Sequence, residues 1–133
     1  MRIAPDTNVL VRLLMNDDPV QAQAALAEIT RAVLVAVTLP TLCELDWVLR
    51  RSYRRSSTDV AALIRDLIAK SDVVCDRPAV EAGLAFLERG GDFADGVIAY
   101  EGARLGADVF VSFDQHAVGL IRAEGKSARI PLT

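Results

Sequence analysis

The sequence predicts an α/β domain in which helices flank a mostly parallel central sheet. Three observations carry that expectation. Short apolar runs alternate with amphipathic segments at helical spacing, the pattern of strand–helix–strand units on a parallel sheet. One run, Ala32-Val33-Leu34-Val35-Ala36-Val37, lacks polar alternation altogether, as expected of a strand buried on both faces. Finally, 133 residues, 52% of them hydrophobic, suit one domain over residues 1–133 that buries a core without staples.

Each element has its own signal. Met1–Ala4 is a short apolar entry that ends before Asp6-Thr7-Asn8. Asp18-Pro19 starts a helix, with Asp as N-cap and Pro at the first helical position, and the helix runs from about Val20 to Arg31. The 32–37 strand follows. Pro40-Thr41 opens a helix with Leu42, Leu45, Val48 and Leu49 on its apolar side. Thr58 is the predicted cap of a further helix reaching Lys70, with Val60, Leu63, Ile64, Leu67 and Ile68 at helical spacing. Val73–Cys75 reads as a strand, and Pro78–Arg89 as a helix stopped by Gly90-Gly91. A helix from Asp92 to Leu105 ends at Gly106, a strand over Val109–Phe113 stops at Asp114, and Ala128–Ile130 is an edge strand before Pro131.

Composition narrows the function classes. The longest uncharged stretch, Ala32 to Cys43, contains Pro40 and is far short of the ~18 residues that cross a bilayer. Asp6 interrupts the N-terminus before an apolar signal core could form. Cys43 and Cys75 lie in apolar contexts, the pattern of buried thiols in a reducing cytoplasm. The net charge of −3 provides no global field that attracts nucleic acid. Such a partner requires a local patch, or a metal that inverts the sign of an acidic site.

Ligand sites in parallel α/β sheets gather beyond the carboxyl ends of the strands. Asp6 and Asp114 follow strands directly. Glu44 is expected in the first turn of the helix after the 32–37 strand, and Asp95 in the first turn of the helix after Gly90-Gly91. The four therefore face one rim. Two unit charges ~4 Å apart repel by about 4 kcal/mol at an effective dielectric near 20, so such a cluster needs protons, a cationic side chain or a hard cation. With one histidine and no Cys/His ligand spacing, the sequence argues against zinc, and an all-oxygen set favours Mg²⁺ or Mn²⁺.

Neighbouring acids have simpler roles. Asp92 is the N-cap of its helix, Asp17-Asp18 is turn and cap, and Asp46 pairs with Arg50 one turn on. Glu44 and Asp95 singly gain from a helix dipole without any function. Arg50, Arg51, Arg54 and Arg55, with Tyr53 between them, share one side of a continued helix and form the candidate phosphate-contacting patch; the competing reading is a solvated helix end. Trp47 reads as core, and His116 as surface or site edge.

The ordered segments Asp6-Thr7-Asn8-Val9-Leu10, Thr41 to Leu49, Asp92 to Ala99 and Val111-Ser112-Phe113-Asp114 resemble PIN-domain proteins, and most closely the VapC-type ribonuclease toxins of bacterial toxin–antitoxin pairs. The resemblance implies a PIN-like fold and an endoribonuclease. It implies that Asp6, Glu44, Asp95 and Asp114 bind catalytic Mg²⁺, with Mn²⁺ able to substitute, while Ser112 supplies a supporting hydroxyl and Asn8 orients the first acid. Arg50, Arg51, Arg54 and Arg55 are then RNA contacts. It further implies an RNA substrate, a homodimer and a cognate antitoxin that inserts a basic side chain into the acidic site. Gly96 and Gln115-His116 depart from the family pattern, which bears on substrate contacts and not on the ligand set. The alternative is a catalytically inactive PIN-like module that binds RNA or protein. An aspartyl phosphotransferase fits less well, since Asn8 occupies the third position of the Asp-x-Asp pair such enzymes use. A receiver-type switch would need a lysine at a late strand end, where neither Lys70 nor Lys126 falls.

Overall fold

A computed structural model describes residues 1–132 and divides into two compact units, Met1–Asp76 and Arg77 onward. The first unit contains β1 (Arg2–Ile3), α1 (Thr7–Met15), α2 (Pro19–Arg31), β2 (Leu34–Ala36), α3 (Leu39–Arg51), α4 (Ser57–Ile68) and β3 (Val73–Val74). Its three strands pair in the order β1-β2-β3, all parallel, with Ile3 opposite Val35 and Val35 opposite Val73. The second unit contains α5 (Arg77–Glu88), α6 (Phe93–Arg104), β4 (Phe110–Val111), α7 (Gln115–Ala123) and β5 (Ala128–Arg129). β4 and β5 form a separate parallel pair, Phe110 opposite Ala128.

The α/β class and the parallel pairing are as the sequence predicts, in a three-stranded and a two-stranded ladder. Several local expectations change. Within the 32–37 run, Val35 and Val37 are buried, Leu34 and Ala36 are half-buried, and Val33 is 68% exposed. Side chains alternate across a strand, and here only one face is fully covered. The cap of α4 is Ser56, whose Oγ accepts from the Asp59 N–H at 3.1 Å, and not Thr58. The pattern gives no helix over 7–15 or 115–123, yet Asp6 and Asp114 start α1 and α7 there.

α3 begins at Leu39, capped by Thr38, so Glu44 lies in its second turn and not its first. The predicted dipole benefit to Glu44 falls away accordingly, because that effect fades beyond the first turn. α3 also ends at Arg51. The Arg55 N–H closes back onto the Leu49 carbonyl at 3.0 Å and Arg54 takes the left-handed region at φ 54°, so Arg50, Arg51, Arg54 and Arg55 do not share a continued helix.

In the first unit the core is built on Leu10, Val35, Leu42, Leu45, Leu49 and Ile64, all fully buried. In the second, Phe86, Val118, Leu120, Ile121 and Ala128 pack into one cluster with Phe110 and Ile130 against it, and Phe93 and Leu84 are fully buried. α5 and α6 approach closely through glycine. A Cβ on Gly96 would lie 2.5 Å from the Ala82 carbonyl oxygen, and one on Gly83 2.6 Å from the Phe93 ring. This accounts for glycine directly after Asp95: backbone, not substrate, excludes alanine.

Gly96→Ala is therefore expected to lower the melting temperature, although alanine improves helix propensity by about 1 kcal/mol. Gly102→Ala, where a Cβ meets nothing within 4 Å, should raise it. Thermal denaturation followed by circular dichroism compares the two, and equal shifts would contradict the close-approach account.

Candidate metal-binding carboxylates

In the first unit, buried Pro5 ends the chain leaving β1 and Asp6 emerges exposed at the start of α1. The Asp6 Oδ1 accepts from the Val9 N–H at 3.1 Å, fixing the carboxylate against the first turn. The next residue, Thr7, is only 7% exposed, and its Oγ1 donates to Glu44 Oε1 at 2.5 Å. That bond spans 37 positions and ties the start of α1 to α3. Glu44 is otherwise exposed. Thr7 is the site residue that sequence reasoning missed; its only signal is a hydroxyl beside the first acid. Asn8 is exposed and, with Asp6, Arg12, Gln21 and Ala25, lines an open cleft of about 340 Å³ along α1 and α2.

Asp46 does what its spacing predicts. It is fully buried and accepts a bidentate pair of bonds from Arg50, Nε at 2.6 Å and Nη2 at 2.8 Å. Arg50 is thereby committed to a core carboxylate, which removes it from the predicted phosphate patch. Tyr53 is likewise engaged: its hydroxyl donates to Asp17 Oδ2 at 2.7 Å, and that bond, with desolvation, raises its pKa above the ordinary phenol value. Trp47 is not core. It is 54% exposed, with the Arg51 guanidinium 5.5 Å from its ring centroid.

In the second unit, Asp92 caps α6 by accepting from the Ala94 N–H at 3.0 Å. Asp114 caps α7, accepting from the His116 and Ala117 N–H groups at 2.9 and 3.2 Å, while Ser112 Oγ accepts from the Asp114 N–H at 3.0 Å. Ser112 thus holds the backbone at the fourth acid. His116 is exposed. Asp95 sits half-buried in the first turn of α6. Burial raises its pKa, and the negative charges of Asp92 and Asp114 raise it further.

The structure thus links Glu44 to the residue beside Asp6 in one unit, and places Asp95 in the field of Asp114 in the other. Residues 3–122 match the PIN domain. The chain belongs to the PIN domain family. PIN domains are generally nucleases that typically use divalent metals, and no curated protein matches this chain. The residues of this PIN domain fit such a metal by donor chemistry: carboxylate oxygens suit a hard cation. Among the described residues, no three His, Cys, Asp or Glu side chains form a group that could hold a metal ion, so a cage of protein ligands is not pre-built here. Mg²⁺ commonly needs no such cage, since it keeps several waters and uses one or two carboxylates plus phosphate. Among those residues, too, no helix of the PIN domain is long and apolar enough to cross a membrane.

Because Asp6 and Asp114 both charge the site and cap helices, charge and cap separate by choice of substitution. Asp6→Ala and Asp114→Ala should each cost about 1 kcal/mol in unfolding free energy, whereas Asp6→Asn and Asp114→Asn, which keep a capping oxygen, should cost far less. For Asp95 the sign is opposite. Its folded pKa lies above the unfolded one, so its stabilising contribution is present below about pH 3.9 and is lost as pH rises through the raised value. Asp95→Asn should therefore flatten that loss and leave the protein at least as stable as wild type at pH 7, measured by urea unfolding across pH.

Proposed function

We propose that this PIN domain is a metal-dependent endoribonuclease, the toxin of a VapC-type toxin–antitoxin pair, acting in the cytoplasm. The observation that carries the reading is Asp95, a half-buried acid whose pKa is raised by burial and by the charges of Asp92 and Asp114. Structural carboxylates in this chain are treated differently: Asp46 has Arg50, and Asp17 has Arg12 and Tyr53.

In this reading Asp6, Glu44, Asp95 and Asp114 are the residues that would hold Mg²⁺, with Mn²⁺ able to replace it. When bound, such an ion would supply a water of lowered pKa and screening of charge on the phosphoryl oxygens. The chain's own residues position and orient. The caps of α1 and α7 fix the Asp6 and Asp114 carboxylates, and Thr7 fixes Glu44 by donating to it. Ser112 steadies the Asp114 backbone, and Asn8 lies beside Asp6 to orient it and the incoming RNA. His116 is not needed as a base. Arg51, Arg54 and Arg55 contact RNA phosphates. A homodimer and an antitoxin placing a basic side chain among the carboxylates complete the assembly, as the resemblance to VapC-type toxins implies.

Attack by water leaves 5′-phosphate and 3′-hydroxyl ends. Incubation of purified protein with a structured RNA should give such ends with Mg²⁺ or Mn²⁺, and no cleavage with EDTA or in Asp6→Asn. Cyclic 2′,3′-phosphate ends, or cleavage that survives EDTA, would overturn the mechanism. In parallel, millimolar Mg²⁺ should raise the melting temperature of wild type by mass action and leave that of Asp95→Asn unchanged.

A further inference from the structure

α3 divides cleanly into two sides. Leu42, Leu45, Asp46 and Leu49 are buried, whereas Glu44, Trp47 and Arg51 are exposed. The exposed three stand at i, i+3 and i+7, within roughly 60° of one another around the helix and rising about 4.5 and 10.5 Å from Glu44. They form one stripe that begins at a candidate metal ligand.

The chemistry of that stripe is specific. Trp47 is the chain's only tryptophan and is 54% exposed. The Arg51 guanidinium lies over its ring, 5.5 Å from the centroid, an arrangement that orients the cation and leaves the remaining indole surface to solvent. Arg54 and Arg55 follow immediately and are exposed. Arg50, the arginine facing inward, is neutralised by Asp46. The positive charge beside Trp47 is therefore concentrated on the open side, in a chain whose net charge is −3.

We propose that Trp47 and Arg51 form a stacking platform for an unpaired RNA base one turn along α3 from Glu44, with Arg54 and Arg55 holding the neighbouring phosphates. The occupant follows from charge and shape. An aromatic face beside several arginines suits a stacked base and its phosphates, the combination by which single strands are bound without sequence readout. A duplex keeps its bases stacked on each other and cannot use the indole. The proposal takes its substrate class from the nuclease reading, but its test does not depend on cleavage.

The test uses the full chain carrying Asp6→Asn, in EDTA, titrated with a short single-stranded RNA while tryptophan emission is recorded. Every change in emission originates at Trp47. Saturable quenching by single-stranded RNA, weaker with a duplex of the same sequence, is expected. With end-labelled RNA, Trp47→Ala should weaken binding about tenfold or more, Trp47→Phe should retain most of it, and Arg51→Ala should lower the salt slope by about one. Emission indifferent to RNA, or Trp47→Ala binding like the parent, overturns the platform. So does a concentration-dependent emission shift with conversion of a dimer to monomer by Trp47→Ala, which would assign the indole to a second copy of the chain. Quenching without any cleavage by wild type in Mn²⁺ would fail the nuclease reading and leave the platform standing; normal cleavage with an indifferent Trp47 would do the reverse.

Discussion

An aspartate that caps a helix is held by the backbone, and this chain uses that constraint for Asp6, Asp92 and Asp114. Each accepts from N–H groups in the first turn of the helix it begins. The arrangement does two things at once. It fixes the carboxylate against the backbone, and it places the negative charge at the positive end of a helix dipole. Asp6 and Asp114 reach this position by the same local route. A two-residue parallel strand ends at Ile3 or Val111, three further residues bring in the aspartate, and a helix starts. Asp95 benefits less. It lies inside the first turn of α6, half-buried, and pays for its neighbours' charge with a raised pKa.

Glu44 is held in another way. It sits in the second turn of α3, beyond reach of the dipole, and depends on Thr7 to fix it. A buried threonine with its hydroxyl directed at a carboxylate satisfies its own donor and restricts a long, mobile side chain. The same helix buries Asp46 against Arg50. Two acids two residues apart thus have opposite fates, because a separation of about 200° on a helix puts one in the core and the other in solvent.

Features set by neighbours in the chain were legible in the sequence. The Asp18-Pro19 start, the Asp92 cap, the Asp46–Arg50 pair and the alternation of strands with helices all depend on spacings of a few residues. What was not legible depends on tertiary placement. α1 packs Val9, Leu10, Val11, Leu13 and Leu14 too densely to show helical spacing, and α7 contains Gly119, so neither announces itself. Thr7 matters through a partner 37 positions away. The end of α3 at Arg51 is set by the loop closing onto Leu49, so the four-arginine stripe had no helix to occupy. Residue type misled for Trp47, since an indole usually fills a core and here the helix turns it outward.

How an acidic protein can engage a polyanion follows from where its cations are spent. Of the 15 basic residues, 13 are arginine. Arg12, Arg31, Arg50 and Arg89 pair with Asp17, Glu28, Asp46 and Glu124, so they add little local field. Arg51, Arg54 and Arg55 gather instead at the C-terminus of α3, where the helix dipole favours positive charge. With a Debye length of about 8 Å at physiological ionic strength, a phosphate near that end responds to these arginines more than to distant acids. One helix therefore carries an acid in its second turn and a cationic, aromatic surface at its end, and the net charge of the chain does not decide what that surface meets.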